Sequence, residues 1–471
     1  MELTPIGIAL FFLGALFFVV RPGLLYWCAI FFLPFSATAV LNVGSGDSFS
    51  GLQAWMFFGT LWLASDLSAM VRTKGHWYKQ KMRASVRRLV VFLLVALISL
   101  IMPLWIDGRL WIVSGTLTSS EARPLYFRLQ HVTQFLYLAY GVLFAIFVGV
   151  KNLNLVQFKK TIRIFLISSA FVCSWGFLEW FCHEVGVSYP AYLLNTNKNE
   201  AALGYLAQYT DSNIIRITSV ATEPSMLAQY LLIVLVFALF AVLGRQVVIT
   251  VVWDRIVLLL TLLTLLMTTS STAYLGLVLL IPIFLGSLWA LGRLRRWHLV
   301  SATVLLVGCV VVVARSTVAQ EIADTAILSK ADSYSALERI NSVVQAEGYF
   351  LRYPVLGVGW GTVTSHDLVF KLLADVGIVG LIAFALFLKS LGSGLWKSVA
   401  GLRRRAVIPE RSYWAACMLV ATLILVLTSA FTEFTYVFGH LWFVFGMGLA
   451  IPLAAEDRSA ARLPAVRQAS A

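Results

Sequence analysis

Charge is what this sequence has least of. Only 12% of its 471 residues are Asp, Glu, Lys or Arg, while 60% are apolar; a soluble domain carries about a quarter charged residues. A soluble globular protein is excluded on that ground. Long polar stretches are missing too, since the two longest interruptions, 183–224 and 315–370, are too short to bury a sizeable aqueous core. Cysteine is sparse and unpatterned: Cys28, Cys173, Cys182, Cys309 and Cys417 lie in or beside apolar runs and form no C-x-x-C or Cys/His spacing. Neither a disulfide framework nor a zinc site is implied, and no metal or cofactor is expected. The first apolar run lacks a basic leader and is followed by Arg21-Pro22-Gly23 instead of a small-residue cleavage site. It reads as a segment that stays attached.

What is present is a series of apolar runs, each near the ~20 residues that a helix needs to cross a ~30 Å hydrocarbon core. Spans are expected near 4–20, 24–42, 51–71, 89–106, 131–150, 164–182, 225–243, 247–268, 272–291, 298–314, 371–388, 412–431 and 435–454. The expected fold is therefore all-α, a polytopic transmembrane helix bundle of 12 to 13 spans, with two larger external loop segments containing short helices. Basic residues gather between spans. The run from Arg72 to Arg88 holds Arg72, Lys74, Lys79, Lys81, Arg83, Arg87 and Arg88 without one acid, and further clusters fall at 151–163, 293–296 and 389–411. Short Lys/Arg-rich loops stay cytoplasmic. This bias accounts for the formal charge of +14 without nucleic acid. It also places 183–224 and 315–370 outside and the tail with Arg458, Arg462 and Arg467 inside. Three regions follow: an N-terminal bundle over 1–182, a core with the external loops 183–224 and 315–370 over 183–390, and C-terminal spans with the tail over 391–471.

Few residues in the external loops can carry chemistry. Arg216 stands shortly before the helix that Glu223-Pro224 opens; helix starts favour anions, and a guanidinium fork suits phosphate. The same residues also fit a loop charge, an N-cap and a proline at the first helical position. Arg339 and Arg352 belong to a segment whose apolar residues Leu337, Ile340, Val344 and Leu351 mark an amphipathic helix, ended by Pro354 and suited to the outer membrane face. Thirteen positions apart, the two arginines point to different sides and need not serve one site. A solvated face explains them equally. His366, beside the next span, has an imidazole able to take a proton from a hydroxyl, or simply to make a structural hydrogen bond. Gly357, Gly359 and Gly361 follow a proline and read as a tight turn, not a dinucleotide fingerprint. Within or near spans lie Asp66, Glu179, Asp254 beside Arg255, Asp375 and Glu433, the residues on which a transporter reading would rest.

Three blocks together resemble a known superfamily. They are Arg216 followed by Glu223-Pro224-Ser-Met-Leu-Ala; Arg339 followed by Tyr353-Pro354-Val-Leu-Gly357-Val-Gly359-Trp-Gly361; and His366-Asp367-Leu-Val-Phe-Lys-Leu-Leu-Ala-Asp375-Val-Gly377-Ile-Val-Gly380. Their order and spacing between spans are similar to those of bacterial O-antigen ligases and O-antigen or exopolysaccharide polymerases, multi-spanning glycosyltransferases that use polyprenyl-diphosphate-linked glycans. Thr268-Thr-Ser-Ser-Thr-Ala-Tyr-Leu-Gly is similar to a further block but lacks its usual arginine after serine. Asp367 stands where the family commonly has Asn, and Asp375 where it commonly has Glu. The resemblance implies metal-independent transfer with inversion at the external face of the bacterial inner membrane. Arg216 and Arg339 would hold the diphosphate, His366 would serve the acceptor hydroxyl, and Glu223 would be a reserve base. Arg352, Gly357 and Gly359 would contact substrate. A polymerase joining undecaprenyl-diphosphate-linked repeat units, with a possible chain-length regulator as partner, is the leading expectation. A ligase acting on a lipid A core acceptor in lipopolysaccharide assembly comes second, and a polytopic transporter or lipid flippase third.

Overall fold

The computed structural model describes residues 2–45, 48–72, 84–114, 121–198, 216–244, 246–300, 303, 334–400, 402, 408–432 and 436–452. Helices dominate: α1 (Pro5–Val20), α2 (Gly23–Phe31), α3 (Ala54–Arg72), α4 (Ala84–Ser99), α5 (Ile101–Ile106), α6 (Leu129–Lys151), α7 (Leu155–Val185), α8 (Pro224–Leu243), α9 (Val251–Met267), α10 (Ser271–Ala290), α11 (Tyr334–Arg352), α12 (Leu368–Val399), α13 (Glu410–Ser429) and α14 (Gly439–Pro452). Among the described residues, seven segments are long and apolar enough to cross a membrane: Ala84–Ile106, Leu129–Lys151, Leu155–Val185, Pro224–Leu243, Ser271–Ala290, Leu368–Val399 and Glu410–Ser429. These match seven of the spans expected from hydropathy. α1 and α14 are apolar but shorter. Most of the expected span at 298–314 lies outside the described residues.

Two expectations change. The run 24–42 is not one helix, because α2 ends at Phe31 and the chain turns through Pro34 into an extended segment. Proline removes a backbone donor and blocks the preceding turn. Strands are also present. β1 (Glu2–Leu3), β2 (Ala39–Ser45) and β3 (Ser48–Gln53) form an antiparallel sheet in that order, and β4 (Trp111–Ser114) pairs antiparallel with β5 (Glu121–Pro124). An all-α description thus holds for the bundle but not for its edges.

α8 is the centre of the bundle. Every residue from Leu227 to Ala238 is buried, as expected of a helix that is apolar on all sides. It packs against α7, α9, α10 and α13, while α4 packs on α12, which also carries α11. Outward surfaces of α1 and α4 expose Phe11, Phe12, Val19, Leu94 and Leu97, a lining that suits hydrocarbon and not water. The polar loops at one end of α8, α10 and α12 are held to this frame by buried side chains, and these build the candidate site.

Candidate functional site

The first wall is the segment 216–223, anchored from α7. Glu179 is fully buried. Its Oε2 accepts from the amides of Thr218 at 3.0 Å and Ser219 at 2.6 Å, and its Oε1 accepts from the Thr218 hydroxyl at 3.2 Å. A charged acceptor for two loop amides is the arrangement that makes a buried carboxylate tolerable. Ser219 takes a positive φ of 54° and donates its hydroxyl to the Val172 carbonyl at 2.7 Å. The chain beside Arg216 is therefore fixed at several points, and the Ile217 amide adds a bond to the Met267 carbonyl at 3.4 Å.

The second wall is the turn between α11 and α12. Its amides of Val358 and Gly359 donate to the carbonyls of Ala374 and Asp375 at 2.7 and 3.1 Å, and those of Ile378 and Val379 donate back to Pro354 and Val355 at 2.9 and 3.3 Å. This reciprocal clamp needs α12 to break, and Gly377 breaks it with φ 65° and ψ −168°. Side chains are excluded from the joint. A Cβ on Gly357 would sit 2.3 Å from the Ala374 carbonyl oxygen, and one on Gly377 would sit 2.2 Å from that of Val355. Asp375, also fully buried, accepts from the amides of Gly361 at 3.2 Å and Val363 at 3.0 Å, with Lys371 Nζ at 3.5 Å. Lys371 in turn donates to the Val363 carbonyl at 2.7 Å. Trp360 plugs the frame, donating its amide-side contact to Ser99 Oγ at 3.1 Å and its Nε1 to the Gln134 carbonyl at 3.2 Å. The result is a rigid platform from which the chain runs to His366 and then to Asp367, whose Oδ1 caps α12 by accepting from the Phe370 amide at 2.8 Å.

Between the walls, four of the candidate residues share one electrostatic field. Burial lowers the pKa of the Arg216 guanidinium; Glu223 acts against that, Arg339 reinforces it, and the Tyr274 phenol opposes it. For His366, burial is again the largest effect and lowers the imidazole pKa; Arg339 lowers it further, Glu223 and Glu338 raise it, and Lys371 lowers it. Arg216, Glu223, Arg339 and His366 thus lie within reach of one another's charge. His366 is also tied to α11, since its amide donates to Ser342 Oγ at 3.3 Å and that hydroxyl donates to the Arg339 carbonyl at 2.8 Å. Two guanidinium groups near each other repel, so the locus favours an anion.

The remaining candidates stand elsewhere. Arg352 is exposed at the far end of α11, about 20 Å along the helix from Arg339 at ~1.5 Å per residue. Gly357 and Gly359 are buried, and their amides are bonded to Tyr353 and Asp375 carbonyls. These two amides serve the α11–α12 joint. The start of α8 is already acidic. Glu223 is its N-cap residue, and Ser225 donates to the Glu223 carboxylate at 3.0 Å.

A cleft opens beside Arg339, lined by Ser271, Thr272 and Leu275 of α10, Thr428 of α13, and Phe431 and Thr432, with a volume of about 60 Å³. Arg339 spans its edge and donates from Nη1 to the Phe431 carbonyl at 3.4 Å. Behind it, Gln229 of α8 donates to Thr428 Oγ1 at 3.3 Å and Ser429 Oγ at 3.0 Å, and its Oε1 lies 3.2 Å from Nε2 of the buried His440. Thr272, Thr428, Tyr274 and Lys371 were not singled out by sequence. Lys371 left a signal four positions before Asp375 in the third family-like block, and Thr272 and Tyr274 left one in the block that begins at Thr268; Thr428 left none.

The family model for O-antigen ligase matches residues 256–385, from the first turns of α9 to the middle of α12. Over this stretch the chain is similar to O-antigen ligases, in line with the superfamily that its motifs resemble. Arg339, His366, the cleft face of α10 and the glycine joint lie inside the matched stretch, whereas Arg216 and Glu223 precede it and reach it through the anchored loop. No curated protein shows a match to the chain.

The acids considered for a transport pathway have other employment. Asp66 accepts from Trp62 Nε1 at 2.9 Å and lies 3.6 Å from Lys151, and Asp254 accepts from the amides of Val248 and Ile249 at 3.0 and 3.1 Å. Glu179 and Asp375 bind loop amides as described. Glu433 lies outside the described residues.

Proposed function

We propose that the chain is a membrane glycosyltransferase that moves a glycan from a polyprenyl diphosphate to an acceptor hydroxyl, and that in its leading form the acceptor is the end of another lipid-linked repeat unit, which makes it a polysaccharide polymerase. The observation that carries this reading is the cluster of two arginines, one glutamate and one histidine coupled through charge at the edge of the stretch that is similar to O-antigen ligases. In the reaction the bond between the anomeric carbon and the diphosphate oxygen breaks, and a bond from the acceptor oxygen to that carbon forms. Negative charge grows on the departing diphosphate. Arg216 and Arg339 meet it with charge-assisted hydrogen bonds, each contributing on the order of 1.5 to 3 kcal/mol. The acceptor proton goes to His366, which its surroundings hold neutral and therefore able to accept it; Glu223 is the alternative base. Attack opposite the leaving group inverts the anomeric centre. The site faces the periplasm from the inner membrane, because the basic loops lie on the other side.

A second reading is carried by the description of the matched family. In a ligase the donor chemistry is unchanged and the acceptor is a lipid A core. The two are separated by glycan length distributions in cells that lack the protein and are complemented with wild type, Arg216→Ala or His366→Ala. Single repeat units without longer chains indicate a polymerase, and long chains retained on the carrier indicate a ligase. Unchanged glycans would refute both.

A further inference from the structure

The clustered charges leave open where the phosphate groups rest. The start of α8 is poorly suited, because Glu223 already places a carboxylate on it. The start of α10 has no such occupant in its first turn. This twenty-residue helix is capped by Ser270, which accepts from the Thr272 amide at 3.3 Å, and its first residues Ser271 and Thr272 line the cleft beside Arg339. A second observation points to a ligand. Thr272 is only 3% exposed, yet its Oγ1 is buried and has no hydrogen-bond partner among the described residues. A buried hydroxyl left unpaired is costly, so an orphan in a cleft that also holds an arginine is explained by a group that binds there. Arg216 Nε, in the same field, is likewise buried without a partner among the described residues.

We infer that the first turn of α10, with Thr272 as hydroxyl donor and Arg339 as cation, is a phosphate seat. This rests on the lipid-diphosphate reading and assigns it a residue set. Among the described residues no carboxylate lines the cleft, and its other hydroxyls come from Ser271, Thr428 and Thr432. Its ~60 Å³ holds about four to six waters at ~10 to 15 Å³ each, room for one phosphate group. The positive end of the α10 dipole favours an anion there. Leu275 and Phe431 also line the cleft and give it apolar surface, which suits the start of a prenyl chain.

The test uses the purified full-length protein in nanodiscs, titrated with farnesyl diphosphate and with inorganic pyrophosphate, alongside T272V, T272S and R339A and with thermal unfolding of each. Wild type is expected to bind, T272V to bind both probes at least ten-fold more weakly, and T272S to come within about two-fold of wild type because it restores the donor. Tighter binding of farnesyl diphosphate identifies a lipid carrier as the source, while equal binding identifies a seat that reads phosphate alone; either supports the seat when T272V weakens it. If T272V unfolds early, rescue by T272S carries the result. Unchanged affinity in T272V together with loss in R339A would overturn the α10 seat and leave the lipid-diphosphate reading intact. No binding of either probe by wild type would overturn both.

Discussion

Replacing Glu179 by Ala tests whether a residue buried in α7 governs the cluster it never enters. The carboxylate holds the amides of Thr218 and Ser219 and the Thr218 hydroxyl. Hydrogen bonds to charged groups contribute about 1.5 to 3 kcal/mol each. Losing two well-placed ones therefore costs on the order of 3 to 6 kcal/mol locally, enough to release a segment whose Ser219 holds a positive φ. Arg216 is two residues upstream of the first anchored amide. A shift of ~1 Å in a positioning element costs roughly 100-fold in rate, so glycan transfer should fall by about that factor. Glu179→Gln can keep its oxygen on both amides and turn its NH2 toward the Thr218 hydroxyl, which can accept, so that mainly the charge is lost, and it should be intermediate. The assay is the polysaccharide ladder of complemented null cells, with membrane abundance measured by immunoblot and unfolding temperature measured on purified protein. Glu179→Ala with a wild-type ladder at equal abundance would refute the reasoning; so would a defect that Glu179→Gln shares in full.

Three further outcomes follow from the same geometry. Because burial and Arg339 lower the His366 pKa, the imidazole stays neutral to more acidic pH than usual, and the acid limb of transfer activity should lie below pH ~6.5. Arg339→Gln should move that limb up and Glu223→Gln should move it down, read from residual activity against pH; an unmoved limb in both would exclude His366 as the titrating base. Gly377→Ala should destabilise the protein by about 1 to 3 kcal/mol from its positive φ alone, and by more through the clash with Val355, measured by thermal unfolding; a neutral effect would show that the α12 break is dispensable. Lys371→Met leaves the Asp375 carboxylate without its cation and should cost about 3 to 5 kcal/mol, with Lys371→Met/Asp375→Asn recovering part of it in the same assay. Additive losses in that double variant would mean the pair is not coupled.

How far the sequence revealed this arrangement depends on where each partner lies along the chain. Apolar runs locate the long helices because the signal is local and summed over about 20 residues. The same sum cannot separate a span from a short helix followed by a buried strand, and 24–42 fails for that reason: Pro34 was the only local mark of the break. Arg216 and His366 were legible as rare polar residues beside spans. Arg339 and Arg352 looked alike in composition, and only the rise of α11 sets them apart. Glu179 and Asp375 drew suspicion as membrane acids, but their partners are backbone amides about forty and twelve residues away, and an amide has no signature in sequence. The glycines show the same limit, since Gly357 and Gly377 form one joint from positions twenty residues apart.

Those misread acids point to how the site is built. Each of the two loops bearing a candidate catalytic group is pinned by one fully buried carboxylate, Glu179 beneath Arg216 and Asp375 beneath the turn that leads to His366. A helix bundle surrounded by apolar side chains cannot hold a polar loop by hydrophobic contact, because the loop's own amides must be satisfied first. Carboxylates delivered from inside the bundle satisfy two amides each and fix the loop in the same act. Charge is spent in this chain where a loop has to be held, and that scarcity is why so few residues remain free to meet a substrate.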